Sequence, residues 1–213
     1  MSQGARPALQ SRSRATRDKL VASLERCLRK KTFENITVAE IAKEAGLAVG
    51  TVYRRFENKD AFIPVLFEIY RSRLDELHGE AGGIEVDPSG GLRAVLRQIA
   101  EKSWTFMQEQ KHIIAAAHLY SRLRPDLIGD EWDDLLEAGA KGYEALVHAF
   151  PNEVRRDPEE AGQMMAYHFN TALAERGLYG AHGVAAMMTV SDEDFVRAIA
   201  DFAYGYLVTE DAK

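Results

Sequence analysis

Apolar residues recur along this chain at intervals of three and four, the spacing of one helix face, and no stretch alternates with the period of two that a half-buried strand shows. From Ser13 onward Leu20, Leu24, Cys27 and Leu28 form such a stripe, while Arg17, Lys19, Arg26 and Arg29 occupy the other faces. Two short helices are predicted on either side of Gly46, then a longer one from the Asn58 cap to about His78. The segment 79–91 holds five glycines and Pro88 and reads as a loop. Beyond it, Leu92, Val95, Leu96, Ile99, Phe106 and Met107 mark a helix to about Gln110, followed by a shorter one over 111–121. Leu135, Leu136, Tyr143, Leu146 and Val147 place another over 130–150, ended by Pro151. Asp157-Pro158-Glu159-Glu160 opens another, with proline in the first turn and acids at the positive end of the helix dipole, and Ser191-Asp192-Glu193-Asp194 opens the last with acids placed in the same way. The last of these carries Phe195, Val196, Ile199, Phe202, Tyr206 and Leu207. The predicted fold class is all-α, with about nine helices.

Composition divides the chain further. Residues 1–12 have Pro7, Gly4 and two arginines with no periodicity, and read as a flexible basic arm. A three-helix domain is expected over 13–62 and a larger helical domain over 63–213. The net charge of −6 argues at first against a polyanionic partner. Its distribution reverses this: residues 1–60 carry 13 Lys and Arg against 7 Asp and Glu, the remainder 14 against 26. A basic first quarter on an acidic remainder suggests one polyanion-facing module joined to something else. The single cysteine, Cys27, cannot form an intramolecular disulfide, and its place on an apolar helix face makes it a core thiol. No apolar run nears the ~20 residues of a membrane span, and the polar stretch Met1–Arg17 lacks the apolar core of a secretory signal. The expected compartment is therefore the cytoplasm.

The segment 37–56 carries the most information. Thr37 and Glu40 have the spacing of a capping box, in which hydroxyl and carboxylate each satisfy an amide at the helix start. Ile41, Ala42 and Ala45 give that helix an apolar face. Gly46 stands where a helix ends in the left-handed conformation. Val52 and Phe56 then lie four apart on a second helix, leaving Val49, Gly50, Thr51, Tyr53, Arg54 and Arg55 off the core. Two short helices about a glycine turn make a helix-turn-helix, whose second helix fits a major groove about 12 Å wide. Hydroxyls and cations suit phosphates, and a guanidinium can grip guanine. The same spacing also fits a plain three-helix bundle with a basic surface.

From Ala15 to about Glu68, about a quarter of the chain, the sequence resembles the DNA-binding domain of TetR-family repressors. The resemblance lies in Lys31-Thr32-Phe33, Ile36-Thr37-Val38-Ala39-Glu40-Ile41-Ala42, Ala45-Gly46-Leu47, Gly50-Thr51-Val52-Tyr53, Phe56 and Asn58-Lys59-Asp60. It implies phosphate contacts from Thr37, Thr51, Tyr53 and Lys59, to which Arg55 is added for its charge. It also implies an approach to base edges by Ala48, Val49, Gly50 and Arg54. Many members of the family have a serine where Ala48 stands and a polar residue in place of Val49. Ala48 forfeits a cap worth about 1 kcal/mol, and Val49 offers only apolar contact, suited to a thymine methyl.

The resemblance further implies a C-terminal helical domain that binds a small-molecule effector and pairs with a second copy through the last two long helices. Gly162, Ala166, Ala172 and Ala174 on one helix, and Ala198, Ala203 and Gly205 on the other, would allow close approach, within the chain or between copies. Trp104, Met107, Tyr120, Trp132, Tyr143, Met165 and Phe169 are candidate pocket residues, with His118 and His168 as polar anchors; each fits plain core as well. An enzyme would need a catalytic constellation. Glu109 and His112 have the spacing of a di-iron ligand pair, but no second copy exists, and no nucleophile or phosphate-loop motif is present. The expected protein is not an enzyme and carries no cofactor or metal. It is a ligand-responsive repressor that binds a palindromic operator as a homodimer and is released by a small, largely apolar effector; alternatives are a DNA-binding regulator without an effector, or an activator. Pro64, six positions past the Asn58 cap, is expected to kink the fourth helix and act as its hinge; the alternative is that a short helix ends there and a new one starts.

Overall fold

The structure, a computed structural model, describes residues 5–79, 83–180 and 183–210. Among these are eight α-helices, several short 3-10 turns and no strand: α1 Ala5–Leu28, α2 Val38–Glu44, α3 Val49–Tyr53, α4 Ile63–His78, α5 Gly91–Leu123, α6 Glu131–Ala149, α7 Pro158–Tyr179 and α8 Asp192–Val208. The all-α class is as expected. None of these helices is long and apolar enough to cross a membrane.

Three boundaries differ from the pattern-based ones. α1 begins at Ala5 rather than Ser13, so residues 5–12, assigned to the arm, are helical, while residues 1–4 of that arm lie outside the described residues. Pro7 falls in the first turn, where no amide hydrogen bond is required, and nothing between it and Ser13 breaks a helix. The two helices predicted to meet at Gln110 are one, because Gln110 and Lys111 both propagate helix and only the apolar stripe shifts there. The fourth helix starts at Ile63 after a 3-10 turn, Asp60–Phe62, that Asn58 caps by accepting from the Ala61 amide at 3.0 Å. Pro64 is thus the second residue of α4, in the turn that tolerates proline. The kinked hinge is corrected to an ordinary helix start.

The chain divides into two compact units, residues 1–70 with 112–129 and residues 71–111 with 130–213. The boundary expected at 62 instead falls inside the apolar run of the first unit. Phe62, Ile63, Leu66 and Phe67 are fully buried there, together with Leu20, Leu24, Phe33, Ile36, Ile41 and Val52. Phe56 stacks on Phe62 with ring centroids 4.0 Å apart. Cys27 is buried in this core, and burial, reinforced by the Glu44 carboxylate, raises its thiol pKa, as suits an inert structural thiol.

In the second unit α6 and α7 pack along each other. At Gly162 an added Cβ would lie 2.6 Å from the Ala140 carbonyl oxygen, so this glycine serves helix contact within the chain. Gly177 makes room for Met107 of α5 in the same way. Asp157 caps α7 by accepting from the Glu159 and Glu160 amides, and Ser191 caps α8 from Asp194. Leu92, Val95, Leu96, Ala161, Phe169, Ala200 and Leu207 fill the core between these helices.

Candidate nucleic-acid interface

The capping box forms as its spacing predicts. The Glu40 amide donates to Thr37 Oγ1 at 3.2 Å, and the Thr37 amide donates to Glu40 Oε2 at 2.8 Å. Lys31, then Thr37, hold the Glu40 carboxyl down to about 2, so the box is charged under all ordinary conditions. α2 closes on a Schellman motif: Leu47 N–H reaches the Ala42 carbonyl at 2.9 Å, and Gly46, at φ 66°, donates to Lys43 at 3.1 Å. This turn redirects the chain so that α3 follows α2 with Val52 pointing into the core at 0% exposure.

What α3 turns outward is the predicted set. Val49 is 39% exposed and Tyr53 51%, and Gly50, Arg54 and Arg55 are exposed as well. A Cβ built at Gly50 meets nothing within 4 Å, so the helix presents bare backbone there. Ala48 sits at the cap position in extended conformation with no side-chain cap bond. Arg54 donates to Thr51 Oγ1 at 3.1 Å and Arg55 to Ser13 Oγ at 2.7 Å, which steadies both guanidiniums along the surface. Lys59 is held differently: its ammonium donates to the Glu34 carbonyl at 2.8 Å and stands 4.9 Å from the centre of the Phe33 ring.

Of the predicted pocket residues, two lie in the first unit. Tyr120 packs edge-on against Phe33, ring centroids 5.2 Å apart, and its hydroxyl bonds Glu34. The Glu34 carboxyl is partly buried, which raises its pKa, yet hydrogen bonds from its own amide, Thr32 and Tyr120 outweigh this and leave it lowered. His118 lies beside Tyr70, and burial holds it down to about 4, so the ring is neutral near pH 7. The other seven are in the second unit. Met107, Met165 and Phe169 are buried, and Tyr143 stacks on Phe169 at 5.5 Å, where burial raises its phenol pKa. His168 Nε2 bonds the Ile199 carbonyl at 2.9 Å, and Trp132 is half-buried on α6. Trp104 meets Phe195 edge-on and lines an open cleft of about 380 Å³ with Arg97, Glu101, Val196 and Arg197. A second cleft of about 390 Å³, which pattern reading missed, is lined by Arg73, Glu76, Leu77, Glu101, Lys102, Phe106 and Gln110. Its residues come from two successive helices, α4 and α5, and the spacing within either helix alone does not announce it. No group of three or more potential metal ligands occurs among the described residues.

A short capped helix, a left-handed glycine turn and a second helix with a polar, cationic outer face define a helix-turn-helix module of the DNA-binding class. Residues 20–64 match the model of the bacterial regulatory proteins of the tetR family, so this segment is similar to the DNA-binding part of such regulators. It is similar to the HTH-type transcriptional regulator TtgR of Pseudomonas putida, with 32% identity over 85 residues, 39% of this chain and 40% of the relative. It is also similar to the HTH-type transcriptional regulator YvdT of Bacillus subtilis, with 24% identity over 132 residues, 62% of this chain and 64% of the relative. The matches thus span less than two thirds of these relatives' lengths. In fold the chain is like the transcriptional regulator FadR of Bacillus subtilis, solved in complex with stearoyl-CoA: TM-score 0.60, 14% identity, covering 89% of this chain and 98% of that one.

Proposed function

We propose that this protein is a transcriptional repressor that binds a palindromic operator as a homodimer and lets go when a small effector occupies its second unit. The outward face of α3 carries the reading. Gly50 and Tyr53 stand on a helix whose other side is locked into the core by Val52, with Arg54 at its C-cap, and they offer bare backbone, a hydroxyl and a guanidinium to a groove. Thr37, Thr51, Arg55 and Lys59 supply the phosphate partners around it.

Pairing is supported by the outer faces of α7 and α8. Met164 and Tyr167 on the first are 45% and 67% exposed, and Phe202 on the second is 72% exposed. Ala198, Phe202 and Gly205 share one face by helical spacing, and the first and last are exposed small residues that admit a partner helix. Of the small residues predicted for close approach, Gly162, Ala166, Ala174 and Ala203 are instead buried within the chain.

For the effector, FadR was solved with a bound acyl-CoA. The apolar candidates Met107, Met165 and Phe169 are packed, whereas the two open clefts are lined by both apolar and charged residues. We therefore refine the largely apolar effector to one that joins an apolar body to polar or charged groups.

The test is titration of duplex DNA over a salt series. Tyr53→Phe weakens binding to all sequences alike, and Arg54→Ala lowers discrimination by about 1–3 kcal/mol at one base pair per half-site. Undiminished affinity and discrimination in both variants would count against α3 as the reading helix.

A further inference from the structure

Lys59, a proposed phosphate contact, has an acid immediately after it, Asp60, which is half exposed. An unmasked carboxylate beside a phosphate contact repels the backbone that the lysine attracts, at a range set by a screening length of about 10 Å. The structure supplies a mask from outside the helix-turn-helix. Arg124, just past the end of α5, pairs through Nη1 with Asp60 and through Nε and Nη2 with Asp126 at 3.1 and 3.0 Å. The backbone that carries it is held in place: the Arg124 amide donates to the Tyr120 carbonyl at 2.9 Å, and Tyr120 packs on Phe33, the same ring that Lys59 covers. Tyr120, Phe33, Lys59, Asp60 and Arg124 all belong to the first unit.

We propose that Arg124 is a positioning residue for DNA binding: by pairing with Asp60 it offsets that carboxylate's repulsion of the DNA backbone beside Lys59, without itself touching DNA. This rests on the reading of Lys59 as a phosphate contact. Arg124 lies 60 residues beyond the segment that matches the family model, so nothing in that match assigns it. The Asp60 end of the pair is half exposed, and exposed ion pairs add little to folding, so the effect should appear in binding rather than in stability.

The experiment measures affinity for a duplex recovered by the wild-type chain from a random-sequence pool, at low salt, with thermal unfolding of each variant alongside. Arg124→Gln is expected to bind roughly threefold to tenfold more weakly, since a dimer carries the exposed acid twice. Asp60→Asn binds at least as well as the wild type, and the double variant Asp60→Asn/Arg124→Gln returns to within about twofold of it. Arg124→Lys keeps the cation and the affinity, which guards against misfolding as the cause of any loss. A double variant as weak as Arg124→Gln, an unaffected Arg124→Gln, or an Arg124→Lys as weak as the glutamine variant would each overturn the masking role. Failure of the wild-type chain to bind any duplex would overturn the DNA-binding reading and the mask with it.

Discussion

At Gly50 one missing side chain separates folding from recognition. The position is helical and its would-be Cβ has open space around it, so alanine can be added without a clash in the free protein. A glycine in a helix costs about 1 kcal/mol relative to alanine. Gly50→Ala is therefore expected to leave the unfolding midpoint unchanged or raised, while duplex affinity falls roughly fivefold or more, the worth of one good base contact. Unfolding and binding curves on the same preparation check this; unimpaired binding would mean that the backbone at Gly50 does not approach the bases. Ala48 and Val49, just before Gly50, bring neither a cap hydroxyl nor a polar side chain. Discrimination under the proposed function is therefore expected to fall chiefly to Arg54, which donates to Thr51 Oγ1.

At the scale of elements, the helix-turn-helix was legible because its signals are local. Thr37 and Glu40 are three residues apart, Gly46 closes the helix they open, and Val52 with Phe56 fixes which face is inward. Pro64 shows the limit of such reading. Its distance from Asn58 is legible, but whether the chain between them is α or 3-10 depends on how Phe62 and Ile63 are drawn into the core. Pro64→Ala is now expected to change stability by less than about 1 kcal/mol, because no helical bond is missing at that position. Urea unfolding would contradict this with a stabilisation near the ~3 kcal/mol of a relieved interior proline. By sequence Tyr120 and His118 fit a pocket as well as a core, because aromatic and histidine side chains on a helix carry no address. Their partners, Phe33 and Tyr70, lie about 87 and 48 positions away, beyond any periodic signal.

For the whole molecule, the account requires two copies, since one short helix reads only a few base pairs and a two-fold pair doubles the site. Phe202→Glu puts a charge on the most exposed aromatic of α8 while leaving the buried side of that helix untouched. It is expected to yield a monomer by light scattering and to lose operator affinity; an unchanged mass would place pairing on another surface. The central claim, that two α3 faces read DNA together, is tested most directly by selection from a random-sequence duplex pool with the wild-type chain. The expected result is an inverted repeat whose half-sites are centred about one helical turn apart, ~34–36 Å, or a multiple of it. Recovery of a single unrepeated motif, or of no motif at all, would contradict it.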